Sequence, residues 1–130
     1  MAGYSGKPLW QKLGIKVDCR LCLIAPPDHA HTLLGGAPNW VDVVGGAEIV
    51  WLFARDLIDI AKLVPEAFAR LGTGDRLWVS WPKKSSMLFV DLTEDDLRHL
   101  ILPTGRVDVK VCAVDADWSV LKFLKRCAHG

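Results

Sequence analysis

Apolar and polar positions along the chain alternate between short continuous apolar runs and longer segments with helical spacing. Three apolar runs stand out, at residues 19–25 (CRLCLIA), 47–53 (AEIVWLF) and 76–81 (RLWVSW), and a shorter one lies at residues 40–44. Runs of this length, rich in branched and aromatic side chains, are typical of strands, and the first is typical of a strand buried on both faces. The pattern therefore predicts four strands in this part of the chain.

Two short helices are predicted around the first strand. Residues 7–15 have Pro8 where a first helical turn begins and Gly14 where a left-handed end is expected. Residues 27–34 follow the first strand and are ended by the glycine pair at 35–36. We expect the first segment to pack against another part of the chain and not to span a membrane.

A longer helix is predicted after the third strand, with Asp56 as its cap. Pro65 falls inside this helix and removes a backbone hydrogen bond, so we expect either a kink or two abutting short helices there. Gly72 and Gly74 are predicted to end it. Its apolar stripe consists of Leu57, Ile60, Ala61, Val64, Phe68 and Leu71.

The start of the next predicted helix, after residue 92, is indicated by two capping motifs. Thr93 and Asp96 approximate a capping box, and Leu92 and Leu97 stand where a hydrophobic staple is formed, so a helix is predicted to run from here through Leu100.

The end of the chain predicts an antiparallel pair of strands. Residues 106–114 alternate, with Val107, Val109, Val111 and Ala113 expected on one face. Residues 115–117 are a turn, and residues 118–126 are the hairpin partner.

Strands that alternate with helices predict parallel strands with crossover helices on both faces. We therefore predict one α/β domain over residues 1–130, with a three-layer Rossmann-like, mostly parallel sheet of about six strands and a C-terminal antiparallel pair. In such sheets ligands bind beyond the carboxyl ends of the strands. The segments expected to share that rim are residues 26–31, Gly45 and Gly46, Arg55 and Asp56, and residues 81–86.

Composition narrows the classes of partner. The chain has 130 residues, 16 basic against 15 acidic, and a net charge of +1, which gives no general attraction to nucleic acid or an anionic membrane. Every apolar run is interrupted before it could span a bilayer, and the N-terminus has no apolar signal segment. We expect a cytoplasmic protein, and any anion site in it must be local.

Four segments carry a resemblance to a known family: residues 3–16 (GYSGKPLWQKLGIK), 74–84 (GDRLWVSWPKK), 91–100 (DLTEDDLRHL) and 105–123 (GRVDVKVCAVDADWSVLKF). Together they resemble a bacterial family of uncharacterised proteins, domain of unknown function 3052. The resemblance covers nearly the whole chain and implies a fold, but it implies no activity.

The order of elements also resembles a reduced Rossmann-like methyltransferase. That resemblance implies a glycine-rich loop after the first strand and an acidic residue after the second, which would hold S-adenosylmethionine. This chain has Ala25, Pro26, Pro27 and Asp28 at the first position, and prolines cannot supply backbone amides to a ligand. After the second strand, where the resemblance implies an acidic residue, this chain has residues 44–46 (VGG). Conventional methyltransfer is therefore not expected.

Lys83 and Lys84, followed by two serines, can grip a phosphate or carboxylate through ammonium groups, hydroxyls and loop amides. The alternative is a solvated turn that Trp81 and Pro82 anchor to the sheet. A dilysine loop without a glycine-rich cradle is not a nucleotide-triphosphate motif.

Asp28, His29 and His31 form a D-H-x-H cluster that could begin a metal site, but no second ligand pair has metal spacing. Two surface histidines are the favoured interpretation. Cys19 and Cys22 have C-x-x-C spacing, yet positions three apart in a strand face opposite sides, so we expect no redox pair. Ser80, Ser85 and Ser86 lack the glycines of a nucleophile elbow.

We predict a non-catalytic or degenerate methyltransferase-like domain, with no catalytic residue, metal or cofactor, that binds a small anionic ligand or a protein partner at the strand ends. The alternative is a divergent small transferase with an adenosyl cofactor. A third alternative is a structural role with homodimer formation through an exposed edge strand at Trp118. The expected ligand-binding residues are Asp28, Trp81, Lys83, Lys84 and Ser85.

Overall fold

The computed structural model describes residues 8–125, except for the side chains of residues 73–75. The helices are α1 (Leu9–Leu13), α2 (Ala30–Leu33), α3 (Leu57–Arg70) and α4 (Glu94–Ile101), and α4 continues into a 3-10 turn at Leu102–Thr104. The strands are β1 (Arg20–Ile24), β2 (Val41–Asp42), β3 (Ala47–Phe53), β4 (Leu71–Pro82), β5 (Arg106–Ala113) and β6 (Trp118–Lys125).

The six strands form one sheet in the order β2-β1-β3-β4-β6-β5. The pairs β1–β2, β1–β3 and β3–β4 are parallel, whereas β4–β6 and β5–β6 are antiparallel. This arrangement confirms the predicted Rossmann-like fold class with its C-terminal antiparallel pair.

Apolar cores on the two faces of the sheet make the three layers. One core packs Ile60, Val64 and Ala67 of α3 and Leu97 and Ile101 of α4 against the sheet. We call this side the α4 face. The opposite side, the α1 face, buries Leu13, Trp51, Phe53, Trp78 and Trp118 among other residues. Cys19 lies in the second core and Cys22 in the first, so the two thiols are on opposite faces as predicted.

α3 differs from its prediction at Pro65 and at its end. The prediction at Pro65 was either a kink or two abutting short helices; one helix of 14 residues runs through Pro65, so the second alternative is wrong. Ala61 and Pro65 are both exposed, and solvent can therefore hydrate the Ala61 carbonyl that Pro65 leaves without a partner. The helix ends at Arg70, and Gly72 and Gly74 lie in β4 instead of ending it. No helix within residues 8–125 is long and apolar enough to cross a membrane.

The predicted position of Gly45 and Gly46 at the ligand rim is wrong. The Gly46 carbonyl accepts a hydrogen bond from Nε of Arg20, the first residue of β1, at 3.0 Å. Gly72, at the start of β4, lies so close to Gly46 that an added Cβ would stand 2.7 Å from the Gly46 carbonyl carbon. Both contacts are at the amino ends of parallel strands, so the glycine pair lies at the amino edge of the sheet.

A shift of register changes the predicted faces of β5. Asp108 pairs with Phe123, but Lys110 pairs with Lys122, so Val109 is an extra residue in the ladder. The valines before and after it, at 107 and 111, therefore lie on opposite faces, not on one face as predicted.

β6 is not an edge strand. It lies between β4 and β5, and Trp118 is buried, with its ring 5.3 Å from that of Phe53 in an edge-to-face contact. The expected self-association through an exposed strand at Trp118 is therefore wrong, because β5 forms this edge of the sheet. The hairpin position predicted at Arg126 lies outside the described residues.

Candidate ligand-binding groove

The candidate site begins where β4 leaves the sheet. Trp81 and Pro82 are buried and pair with Ser119 and Trp118 of β6, so the chain emerges beside the β5–β6 turn. The Lys83 amide donates to the Asp117 carbonyl at 2.8 Å and extends this pairing by one residue. The following loop is thus fixed at its start by backbone contacts.

Ser86 holds the loop in a defined turn. Its amide donates to the Lys83 carbonyl at 2.9 Å, and its hydroxyl donates to Oδ1 of Asp117 at 2.8 Å. The same hydroxyl oxygen accepts from the Leu88 amide at 3.0 Å. The predicted Ser85 is exposed, so the serine that organises the loop is its neighbour.

An open groove of about 470 Å³ lies between this loop and the start of α4. One wall comes from the ends of β4 and β6, and the other comes from the first turns of α4. A volume of this order suits a small molecule. The described residues that line it are Trp81, Lys83, Lys84, Thr93, Glu94, Asp95, Arg98 and Ser119.

The basic side chains of the groove differ in whether they form ion pairs. Arg98 contacts three carboxylates, those of Glu94 at 2.5 Å, Asp95 at 3.6 Å and Asp108 at 2.9 Å. The hydrogen bond to Asp108, together with the contacts to Glu94, raises the pKa of Arg98 despite the opposing effect of burial. Within residues 8–125, neither Lys83 nor Lys84 forms an ion pair. These two ammonium groups are therefore available to an anion, whereas the Arg98 guanidinium is not.

Three of the five residues expected from the sequence, Trp81, Lys83 and Lys84, are thus brought together. Asp28 and Ser85 are exposed and are not among the described residues that line the groove. Thr93, Glu94, Asp95, Arg98 and Ser119 were missed. The predicted capping box could have indicated the residues from α4, because a helix that begins soon after the rim loop must place its first turns beside that loop.

The residue after Asp28 instead links two parts of the carboxyl rim. His29 Nε2 lies 3.0 Å from Oδ2 of Asp115 in the β5–β6 turn. Burial raises the pKa of Asp115, but hydrogen bonds from His29 and from the Asp117 and Trp118 amides outweigh it and leave this pKa below its ordinary value. An ionised Asp115 therefore holds the turn from which the groove wall β6 starts.

His31, the other histidine of the D-H-x-H cluster, stacks on Trp40 with ring centroids 6.0 Å apart. Within residues 8–125, no three side chains of the types His, Cys, Asp and Glu come together as a metal-binding group.

The position where the methyltransferase resemblance implies an adenosyl cofactor does not fit one. Ala25 takes a left-handed conformation at φ 53° and is followed by the two prolines, which have no amide hydrogen. The acidic residue that ends β2, Asp42, pairs with Leu21 and accepts from Nε1 of Trp40 at 3.1 Å. Because Leu21 is three residues before the end of β1, Asp42 lies well below the carboxyl edge where a ribose would be held.

Comparison with solved structures identifies the fold class. A putative type 11 methyltransferase from Sulfolobus solfataricus is 12% identical, with a TM-score of 0.53 over 94% of this chain and 92% of that chain. The DhpI–SAH complex is 6% identical, with a TM-score of 0.57 over 92% of this chain and 82% of that chain. The protein therefore has a methyltransferase-like Rossmann fold. No family model and no curated protein matches the chain.

Proposed function

We propose that this methyltransferase-like domain is a non-catalytic binding domain that holds a small anionic ligand in the groove beside α4. The observation that carries the proposal is the pair of ammonium groups of Lys83 and Lys84, which face the groove without an ion-pair partner among the described residues. A charge-assisted hydrogen bond to such a group contributes about 1.5–3 kcal/mol. Two such bonds to one anion are the attraction on which the proposal rests.

The residues at the start of α4 leave the two lysines as the groups that attract the anion. A helix N-terminus attracts anions, but here Glu94, Asp95 and Asp96 already occupy its first turn. Arg98 is held by carboxylates, so the lysine side of the groove is its attractive side. Trp81 lines the groove beside the lysines, which suits an anion attached to a small apolar body.

Calorimetric titration with inorganic phosphate, citrate and nucleoside monophosphates tests this proposal. We expect at least one of them to bind, and replacement of both Lys83 and Lys84 by Ala to weaken its binding at least about tenfold. The melting temperature should change little, since both side chains lie at the surface. Lys62→Ala, on the exposed side of α3, is the matched control and should bind as the wild type does.

The proposal fails if none of these anions binds at millimolar concentration, or if the Lys62 variant loses as much affinity as the double variant. Collapse of the double variant would show instead that the lysine loop is structural.

The alternative is a divergent transferase that uses an adenosyl cofactor in an altered pocket. The fold likeness to the DhpI–SAH complex supports it, while the prolines after β1 weigh against it. Titration with S-adenosylmethionine and S-adenosylhomocysteine separates the two, because tight binding that survives replacement of Lys83 and Lys84 would favour the enzyme.

Membership of domain of unknown function 3052 is also a proposal. It is supported by the four segments that carry the resemblance, and it adds no chemistry of its own.

A further inference from the structure

A second cluster of basic residues lies on the α1 face of the sheet, away from the groove. Arg76 precedes Trp78 by two residues on β4 and shares its face. Lys122 pairs with Trp78 across β4 and β6, and Lys110 pairs with Lys122 across β6 and β5. Three cations on three adjacent strands therefore face the same side, and we call them the basic cluster.

The bulge at Val109 creates this cluster. Before the bulge, Asp108 pairs with Phe123 and lies on the α4 face, where it bonds Arg98. After it, Lys110 pairs with Lys122 and lies on the α1 face. Without the extra residue Lys110 would share the face of Asp108, because residues two apart in a regular strand point the same way. The bulge thus places Lys110 on the same face as Arg76 and Lys122.

These charges have no ion-pair partner among the described side chains. Within residues 8–125, the side chains of 73–75 apart, none of Arg76, Lys110 and Lys122 forms an ion pair. Like charges directly opposite each other in an antiparallel pair are destabilising, and Lys110 and Lys122 are such a pair. Burial, followed by the charges of Arg76 and Lys110, lowers the pKa of Lys122.

Trp78 lies under the cluster. The Lys122 ammonium is 5.3 Å from the centroid of the Trp78 ring, a cation–π distance. The Trp78 indole N–H is buried, and no hydrogen-bond partner is found for it within the described chain. An anion that draws the ammonium away from the ring would change the surroundings of this indole.

We propose that the basic cluster of Arg76, Lys110 and Lys122 binds a multivalent phosphate-type anion, separately from the groove beside α4. A single carboxylate could neutralise one of the three cations, whereas a phosphate or diphosphate presents several charged oxygens to neighbouring strands. The Arg76 guanidinium supplies a planar fork for two of them. Free phosphate and phosphate carried by a nucleotide present the same chemistry to the cluster.

The test is titration of the full chain with inorganic pyrophosphate and, separately, with ADP, at low salt, followed by calorimetry and tryptophan fluorescence. We expect pyrophosphate to bind and to change the emission, and the emission change to be lost in Trp78→Phe. Lys122→Met and Lys110→Gln should each weaken binding at least about tenfold. The ratio of the two ligand affinities distinguishes free from nucleotide-borne phosphate.

Two controls show whether the basic cluster itself is where pyrophosphate binds. Lys125→Gln, on the same strand but on the other face, should keep wild-type affinity. The change in Trp78 emission on adding pyrophosphate should persist when Lys83 and Lys84 are replaced by Ala, whichever anion the groove itself binds, so failure here and failure of the groove proposal are distinguishable. If Lys122→Met does not fold, the exposed Lys110→Gln carries the test.

Absence of pyrophosphate binding at millimolar concentration would overturn the inference. So would wild-type affinity in both Lys122→Met and Lys110→Gln, or loss of binding only when Lys83 and Lys84 are replaced.

Discussion

Gly72 shows how one residue fixes the path of the chain. It lies at the start of β4, and a Cβ there would stand 2.7 Å from the Gly46 carbonyl carbon and 2.8 Å from its oxygen. Those neighbours are backbone atoms, which cannot rotate away as the end of a side chain can. The absence of a side chain at Gly72 therefore lets the β2–β3 connection pass beneath the amino edge of the sheet.

Gly72→Ala should destabilise the protein by about 1–3 kcal/mol, because the added methyl group must push two backbone segments apart. Gly45→Ala is the matched control: no atom lies within 4 Å of a Cβ built there, so its stability should stay within about 0.5 kcal/mol of the wild type. Urea denaturation of both variants measures the difference. Equal stabilities would show that the contact between β4 and the connection is loose.

Single residues that line the candidate groove were predictable where local chemistry identified them. Lys83 and Lys84 stood out as two charges directly after a buried strand end, and Thr93 and Asp96 as a cap. The ion pair between Arg98 and Asp108 could not be foreseen. Asp108 lies on β5, and which face of the sheet each β5 side chain occupies depends on the bulge at Val109, which no residue type in the sequence indicates. Whether a basic side chain forms an ion pair depends on how the strands pack, and a single sequence does not show it.

α4 forms one wall of the groove, and its start is set by a complete capping box. The Thr93 hydroxyl oxygen accepts from the Asp96 amide at 3.3 Å, and Oδ2 of Asp96 accepts from the Thr93 amide at 2.9 Å. Leu92 and Leu97 are both fully buried, as expected for a hydrophobic staple. These contacts fix where Glu94, Asp95 and Arg98 meet the groove.

The stability given by this cap should depend on pH. Hydrogen bonds from the amide and hydroxyl of Thr93 hold the pKa of Asp96 below its ordinary value of 3.8. Since the folded-state pKa is the lower one, the ionised carboxylate stabilises fully above pH 3.8, and the contribution is lost as the pH falls through the folded-state pKa. Denaturation of wild type and Asp96→Asn from pH 7 to pH 2 should give a stability gap that closes at the acid end.

Asp95→Asn is the control for this comparison. Asp95 is in the same helical turn and is mostly exposed, with its carboxylate 3.6 Å from Arg98. Its removal should change stability little at any of these pH values. A gap for Asp96→Asn that persists undiminished at pH 2 would contradict the role given to its charge.

Elements were predictable where apolar pattern and end signals agreed. β3 has the predicted bounds, residues 47–53, and α1 ends at Gly14 in the expected left-handed conformation. β2 shortened to two residues, since its segment pairs only with the first part of β1. Two abutting helices, one of the two alternatives expected at Pro65, do not form, because one lost hydrogen bond on an exposed helix face costs less than separating two packed turns.

On the scale of the whole molecule, the carboxyl rim carries an apolar surface next to the groove. It consists of Leu57 and Ile58 at the start of α3 and Met87, Leu88 and Val90 in the loop after β4, all exposed. The Leu57 amide donates to Oδ1 of Asp91 at 2.9 Å and brings the two segments together. We propose this apolar rim as the surface for the expected homodimer contact with a second copy of the chain, in place of the Trp118 strand.

If the rim is the homodimer surface, the wild type should self-associate as its concentration rises, measured by light scattering, and replacing both Ile58 and Val90 by Ser should reduce that association. Stability should change by no more than about 0.5 kcal/mol per site, because both side chains already face solvent. Val44→Ser, at a valine near the amino edge that is also exposed, is the control. If all variants scatter alike, self-association does not use the apolar rim.

The sheet as a whole was predictable because alternating strands and helices allow few topologies. The same reasoning misplaced Gly45 and Gly46, since it assumes that every connection after a strand starts at the carboxyl rim. Here four residues between β2 and β3 leave no room for a crossover helix, and the chain passes along the amino edge instead.

The bulge at Val109 also bears on how the folded chain meets other chains. β5 is the longer free edge of the sheet, and a regular edge strand offers a continuous row of unpaired amides and carbonyls to which a foreign strand can add. The extra residue interrupts that row midway along β5, and the exposed Lys110 places a charge next to the interruption. At the opposite edge β2 is only two residues long. Both borders are therefore poor templates for fibrillar growth.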